Sequence, residues 1–404
     1  MNVDVGIVGG GVAGSALAHV LSRAGVSVAL VEREPVFRDR IRGEAIHPWG
    51  TRFLDRLGLR SLVVDRAGAR ELPIWQTYRN RTRQDPFAWT DLHPSIPPEL
   101  SVRHPQLQTA LIESAAESGT HIFRPANVEL ARTSSGTTMT IRQAGETTTV
   151  TARLIVAADG AHSATRTWLG GEVHRDPIHH YLGGTIVTGL DIALDAAHHA
   201  SGGSSGGFSM IFPQTEGSFR VYFACLPEER DTFKGVEQPE SMMSAIARFF
   251  PDGFLSGWSE LGPTGFFPNA DLVSSIQSGP DTVLIGDAAG ANDPSLGHGL
   301  SLCFHDVHEL STLLLNETNW SEIPAEFGER RARYFNILRQ HAIWTAAITT
   351  ESGPAADALR ARVARARELD PGAGGFTGLF AIGPDNLVAD DAARRHFLGE
   401  DIDF

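Results

Sequence analysis

The sequence is almost without lysine. Of its 34 Lys+Arg residues only Lys234 is a lysine, so nearly every fixed cation is an arginine. Positive charge is short overall: 34 basic against 48 acidic residues give a net charge of −14 over 404 residues. Nucleic acid and anionic membranes both need a basic surface, so this balance speaks against either partner. Cysteine is scarce too. Cys225 and Cys303 are far apart and each sits beside apolar residues. They make neither a disulfide framework nor a zinc site, and they suit a reducing, cytoplasmic setting. No apolar run reaches the roughly 20 residues that span a bilayer. The apolar N-terminus lacks a signal peptide's positive n-region and is interrupted by Asp4 and a glycine cluster. What is there is a globular mixture, 42% hydrophobic and 20% charged, long enough for two or three domains.

Val3–Val8 is a β-branched run with the pattern of a buried strand. Glycines follow, then Ala16–Ser22 with helical apolar spacing. Gly25 closes that helix, and Val26–Val31 reads as a second strand, which completes a βαβ crossover. Further on, Pro105–Ser118 reads as a helix with proline in its first turn. Thr120–Arg124, Asn127–Ala131, Thr137–Arg142, Thr147–Val150 and Leu154–Ala158 read as strands. A different pattern runs from about Val173 to Ile276. Gly184–Leu190, Phe208–Phe212 and Phe219–Cys225 are strand-like, with a glycine-rich insert Ala200–Gly207 read as a mobile loop. With Glu71–Tyr78 these predict a second, mostly antiparallel sheet. Thr282–Ile285 returns to the buried-strand pattern, and helices are predicted over Leu300–Leu315 and Pro324–Thr350.

Gly9-Gly10-Gly11-Val12-Ala13-Gly14 is a G-x-G-x-x-G between the first strand and its helix. Gly9 permits the tight turn, Gly11 lets a pyrophosphate approach the backbone, and Gly14 allows close helix–strand packing. The helix start at Val12 and Ala13 offers unpaired N–H groups and partial positive charge. Glu32, ending the second strand, is placed to accept the hydroxyls of an adenosine ribose. Strand, glycines, helix and acid together point to a dinucleotide.

Two later turns choose which one. Val156–Arg166 ends a strand in Asp159-Gly160. Leu284-Ile285-Gly286-Asp287-Ala288-Ala289 ends another and runs through Pro294, Gly297, His298 and Gly299 into a helix. On these separated segments, in this order, the chain resembles the class A, FAD-dependent monooxygenases of the para-hydroxybenzoate hydroxylase type. The resemblance implies that Asp287 serves the ribityl and flavin-side phosphate region. It implies that Asp159-Gly160, with Arg166, serves FAD and the reductant NAD(P)H together. Arg42 and Arg103 fall where the family places arginines beside FAD, and a guanidinium fork suits a diphosphate. Arg33, after Glu32, and Asn127-Val128, at the adenine, join these contacts. Pro294, Gly297, Gly299 and Leu300 would form the flavin edge, where a helix start stabilises the negative charge of the reduced ring. The chain departs from the family pattern here: Gly290 stands where a histidine is common, and His298 and Ser301 replace more usual residues.

The implied architecture is α/β. A glutathione-reductase-like, Rossmann FAD-binding domain occupies 1–70, 102–172 and 277–320. A mostly antiparallel substrate-binding sheet is inserted at 71–101 and 173–276, and a helical region follows at 321–404. The implied reaction is reduction of FAD by transiently bound NADH or NADPH and capture of O₂ as a C4a-hydroperoxide. One oxygen atom then passes to a small aromatic or polycyclic metabolite. His47 and His298 are the candidates for handling a substrate proton. Trp75, Met210, Phe212, Arg220, Tyr222, Phe266 and Phe267 are candidates to face the substrate, with Arg220, Tyr222 and Phe267 as the assigned contacts. His179-His180 and His198-His199 read as loop histidines, not metal ligands, so no metal is expected. A halogenase on this scaffold needs a lysine near the flavin and a Trp-x-Trp-x-Ile-Pro segment. The segment is missing, and Lys234 falls in a charged, loop-like region. A double-bond reductase of the geranylgeranyl-reductase type and a non-catalytic flavoprotein are the alternatives.

Overall fold

A computed structural model of the chain describes residues 1–41, 43–133, 136–202, 207–233, 238–370, 372–375 and 377–401. Arg42, Lys234 and the middle of the glycine-rich insert lie outside the described residues.

The first sheet has eight strands. Its centre is Asn2–Val8, flanked in parallel by Val28–Val31 and by Glu146–Ala157. The latter was predicted as two strands and is one strand of 12 residues. One of its edges is shared between two partners. Gly136–Gln143 pairs antiparallel with its first half, and Thr282–Leu284 pairs parallel with Ile155–Ala157. The change of partner mid-strand is what made the pattern read as two elements. Val31, Val8, Ala157 and Leu284 lie level in the parallel register, so four strands end at one edge. In an open α/β sheet that edge is where ligands bind. Helices Val12–Arg23, His104–Glu117 and Gly299–Asn316 supply buried apolar residues to one core with these strands.

The second sheet has nine strands, antiparallel except where Ala196–Ser201 runs parallel to Ile74–Arg79. Both of its faces are covered. In Ser218–Cys225 all eight residues are buried. Phe219, Val221, Phe223 and Cys225 pack on the side of helix Gln238–Ala247, while Tyr222 and Ala224 join the opposite cluster with Trp75 and Phe380. This is the period-2 alternation of a strand buried on both faces. The predicted strand Glu71–Tyr78 is divided at Pro73. Arg70–Leu72 enters a three-stranded sheet with Glu99–Ser101 and Ala45–Ile46, and Ile74–Arg79 enters the large sheet. Proline has no N–H to continue a ladder, so the break falls there. Helices Ile323–Thr349, Pro354–Leu369, Thr377–Ile382 and Asp391–Phe397 complete the chain. No helix among the described residues is long and apolar enough to cross a membrane.

Candidate cofactor and substrate site

The shared strand edge gathers the predicted turns. Gly9 has φ +107°, and a Cβ there would lie 2.3 Å from the Ala158 carbonyl oxygen. A Cβ on Gly14 would lie 2.0 Å from the Gly9 oxygen, so the helix packs on the turn through bare backbone. Gly11 differs: its Cβ would meet only the Gln108 amide, at 4.0 Å, which leaves an open approach to the helix start. Gly11 caps that helix without a side-chain hydrogen bond, so its first amides stay available. Glu32 is buried and pinned, accepting from Gly10 N and Glu34 N, each at 2.7 Å. A carboxylate has further lone pairs for ribose hydroxyls. Ala126 N donates to the Glu32 carbonyl, which brings Asn127 and the half-buried Val128 beside it.

Other predicted residues fall differently. Arg33 is 73% exposed and pairs with Glu34 at 3.7 Å, turned to solvent instead of toward the turn. Arg103 caps helix His104–Glu117 near Asp39 (3.6 Å), and its buried Nε has no protein partner. It stands at a cavity of about 410 Å³ shared with Phe37, Asp39 and Gln106. Asp159 receives Thr165 N and Oγ1 on Oδ2, while Oδ1 is buried and unpartnered. Arg166 was expected at the cofactor. Its guanidinium instead donates to the Ala288 and Ala161 carbonyls at 2.7 and 2.8 Å, tying the Asp159 and Asp287 turns together.

Asp287 lies in the turn Gly286–Ala288, and that turn is braced from beneath. Arg331, on the long C-terminal helix, donates to the carbonyls of Gly286, Ala289 and Gly290, and its Nε donates to Asp306 at 2.9 Å. Asp306 in turn accepts from Gly286 N at 2.6 Å and from the Tyr334 hydroxyl at 2.5 Å. This support leaves no trace in local spacing, because it joins residues on two separate helices to a loop. Pro294 and Gly297 then lead to helix Gly299–Asn316, whose start at Gly299 and Leu300 has no side-chain cap. A Cβ on Gly299 would meet nothing within 4 Å. Both amide atoms of the buried Asn292 lack partners.

A small cavity of about 40 Å³ separates this loop from the second sheet. Pro294, Ser295, Leu296 and Gly297 form one wall; Leu182, His199, Met210, Phe212, Tyr222 and Phe267 form the other, with His47 and Phe380 at the side. Tyr222 and Phe267, expected from the sequence to face a substrate, line this cavity. Arg220 is not on the cavity. It is fully buried beneath Tyr222, donating to Glu44 at 2.5 and 2.8 Å and to Asp39 at 2.9 Å. Burial pushes the Glu44 carboxyl up, and Arg220 opposes that shift. Phe266 packs on Phe223 and Phe233 instead, and Trp75 stacks behind His199.

Of the two histidines offered as proton handlers, His47 borders the cavity and His298 does not. His47 Nδ1 lies 2.8 Å from Glu99 Oε1, and Nε2 lies 2.6 Å from the Leu296 carbonyl oxygen. Glu99 and the Leu296 carbonyl thus hold the buried ring at both nitrogens. The ring is tied into the loop and is not a free base. His298 lines no part of the cavity. Its ring packs near His47, Trp49 and Phe380, both nitrogens lack partners, and burial keeps it neutral. His198 and His199, read as loop residues, lie in strand Ala196–Ser201. His179 pairs with Asp293 Oδ2 at 2.5 Å.

A family model described as an FAD binding domain matches residues 2–322. The chain is 26% identical over 320 residues to squalene epoxidase 6 of Arabidopsis thaliana, covering 77% of this chain and 61% of that protein. It is 27% identical over 370 residues to kynurenine 3-monooxygenase of Salinispora arenicola, covering 82% and 77%. It is 24% identical over 359 residues to menaquinone reductase of Mycobacterium tuberculosis, covering 85% and 84%. Among solved structures, p-nitrophenol 4-monooxygenase PnpA of Pseudomonas putida superposes with a TM-score of 0.76 at 20% identity, covering 98% and 97%.

Proposed function

Because the chain belongs to the family of FAD binding domains, we propose that it is an FAD-dependent monooxygenase that oxygenates a small, flat, apolar molecule. The observation that carries this reading is the cavity between the Pro294–Gly297 loop and the second sheet. It is walled by aromatic and aliphatic side chains and lies against the segment assigned to the flavin edge. The 61% coverage of the plant epoxidase makes activity and substrate matters for experiment.

The site fits FAD. The open face of Gly11 and the uncapped amides at Val12 and Ala13 suit a diphosphate, with Arg103 as the nearby cation. Glu32 suits the ribose and Val128 the adenine side. Asp159, with a buried unpartnered oxygen, and Asp287 suit the chain leading to the ring. Pro294, Gly297, Gly299 and Leu300 suit the ring edge. When bound, FAD supplies the redox chemistry, drawing electrons from NADH or NADPH and passing them to O₂. The protein's own part is positional. His47, held by Glu99, fixes the Leu296 carbonyl and hence the loop. The uncapped start of helix Gly299–Asn316 presents partial positive charge to the ring edge. Phe380 and the second sheet keep bulk water from the cavity. We assign the cofactor domain to 1–70, 102–172 and 277–320, the substrate domain to 71–101 and 173–276, and the helical region to 321–404.

The similarity to a menaquinone reductase favours a second reading, reduction of a double bond on the same scaffold. Purified protein loaded with FAD separates the two. Oxygen uptake equal to the NAD(P)H consumed, dependent on an added aromatic compound and giving an oxygenated product, supports the monooxygenase. NAD(P)H consumption that yields a reduced product without oxygen uptake supports the reductase.

A further inference from the structure

Building on the reading of a flat apolar substrate, we propose that His199 selects that substrate. Its Nε2 would form one hydrogen bond to a neutral hydroxyl group on an aromatic ring system. His199 lies in strand Ala196–Ser201, opposite Met210 on one neighbour and Thr77 on the other. Strand alternation sends the adjacent His198 to the far face, where its nitrogens meet the Tyr78 hydroxyl and the Ala193 carbonyl. His199 faces the cavity. Its ring stacks on Trp75 with centroids 3.9 Å apart and planes at 19°, which fixes the imidazole plane.

The Nε2 of His199 is buried and has no partner in the protein. A buried polar atom left unmatched is costly, and a ligand that matches it recovers that cost. The other polar groups around the cavity are engaged. His47 is held at both nitrogens, Glu44 by Arg220 and Gln214, and Ser295 by Asp293. Burial pushes the His199 imidazole down to about 3, so it stays neutral and offers no charge to a carboxylate. Among the described residues lining the cavity, none presents an unpaired cation. An anionic ligand would sit beside Glu44 without compensation. A hydroxyl both donates and accepts, so it satisfies Nε2 in either tautomer.

The test titrates FAD-loaded protein with 2-naphthol, naphthalene and 2-naphthoate, following the change in the flavin absorbance spectrum. The expected result is binding of 2-naphthol at least about tenfold tighter than either analogue. In His199→Phe, which keeps the stack on Trp75, the preference over naphthalene should collapse with flavin content unchanged. In His199→Gln, which keeps a polar group, part of it should return. Tightest binding by 2-naphthoate, absence of 2-naphthol binding, or a preference that survives in His199→Phe would each overturn the proposal. The wild-type series alone decides if a variant fails to fold. Binding is read without turnover, so its outcome is separate from that of the oxygen-uptake measurement.

Discussion

Arg331 and Asp306 form an ion pair at 2.9 Å, both fully buried, directly beneath the Gly286–Gly290 backbone. Burial pushes the Asp306 carboxyl up, and the guanidinium holds it in check. Removing one member of such a pair leaves a stranded charge. Arg331→Met should therefore lower stability by about 3–5 kcal/mol and reduce flavin retention. Arg331→Met combined with Asp306→Leu should recover part of that loss. Denaturant unfolding with flavin content measured in parallel checks both; a double variant no better than the single one would refute the stranded-charge account.

Gly11 and Gly14 separate cofactor approach from packing. Gly14→Ala forces a Cβ to within 2.0 Å of backbone, so the unliganded protein should lose stability. Gly11→Ala meets nothing closer than 4.0 Å, so unliganded stability should hold. The new methyl, however, stands in the open approach to the helix start. FAD affinity should fall by about tenfold or more in Gly11→Ala, with an unchanged unfolding midpoint without flavin.

Asp271 gives a pH signature. It accepts from Asp293 N at 2.8 Å, and burial pushes its carboxyl up to about 6 from the ordinary 3.8. A folded-state value above the unfolded one favours the protonated form. Its stabilising contribution is thus complete below about pH 4 and is lost as pH rises to about 6. Asp271→Asn mimics the protonated form and lacks this loss. Above pH 6 it should exceed the wild type by up to about 3 kcal/mol, with the advantage vanishing near pH 4. Unfolding free energies at pH 4, 5, 6 and 7 give the comparison.

Phe380 borders the cavity beside His47. It stacks on His47 at 4.5 Å and leaves a cavity of about 40 Å³. A cavity that accepts benzene is on the order of 150 Å³. Phe380→Ala should cost about 3–5 kcal/mol of stability. It should at the same time tighten binding of 2-naphthol to the FAD-loaded protein. Weaker binding would mean that Phe380 is part of the ring's contact surface and not an obstacle to it.

Local pattern carried the cofactor half. The glycines, the β-branched runs and Glu32 are read within one βαβ unit, so strand, turn and helix were legible with boundaries off by only a few residues. The errors came where two distant segments compete. Glu146–Ala157 reads as two strands because its neighbour changes midway, and Arg166 reads as a cofactor ligand although two carbonyls claim it. Arg220 reads as a substrate contact, but it is buried and Glu44 takes its charge. Glu99 and His199 gave no signal, since a buried acid or an unpartnered imidazole has no spacing of its own.

The sequence by itself determined the dinucleotide-binding turn and the α/β class, because these depend on residues within a few positions of one another, while FAD was implied by the resemblance on the distant Asp159 and Asp287 turns. Only the tertiary structure decided which polar groups are already satisfied. That depends on distances between elements such as Arg331 and Gly286, or His47 and Leu296, which a linear pattern does not contain. Partnering within a buried interior, more than residue type, fixes whether an arginine or a histidine is free to meet a ligand.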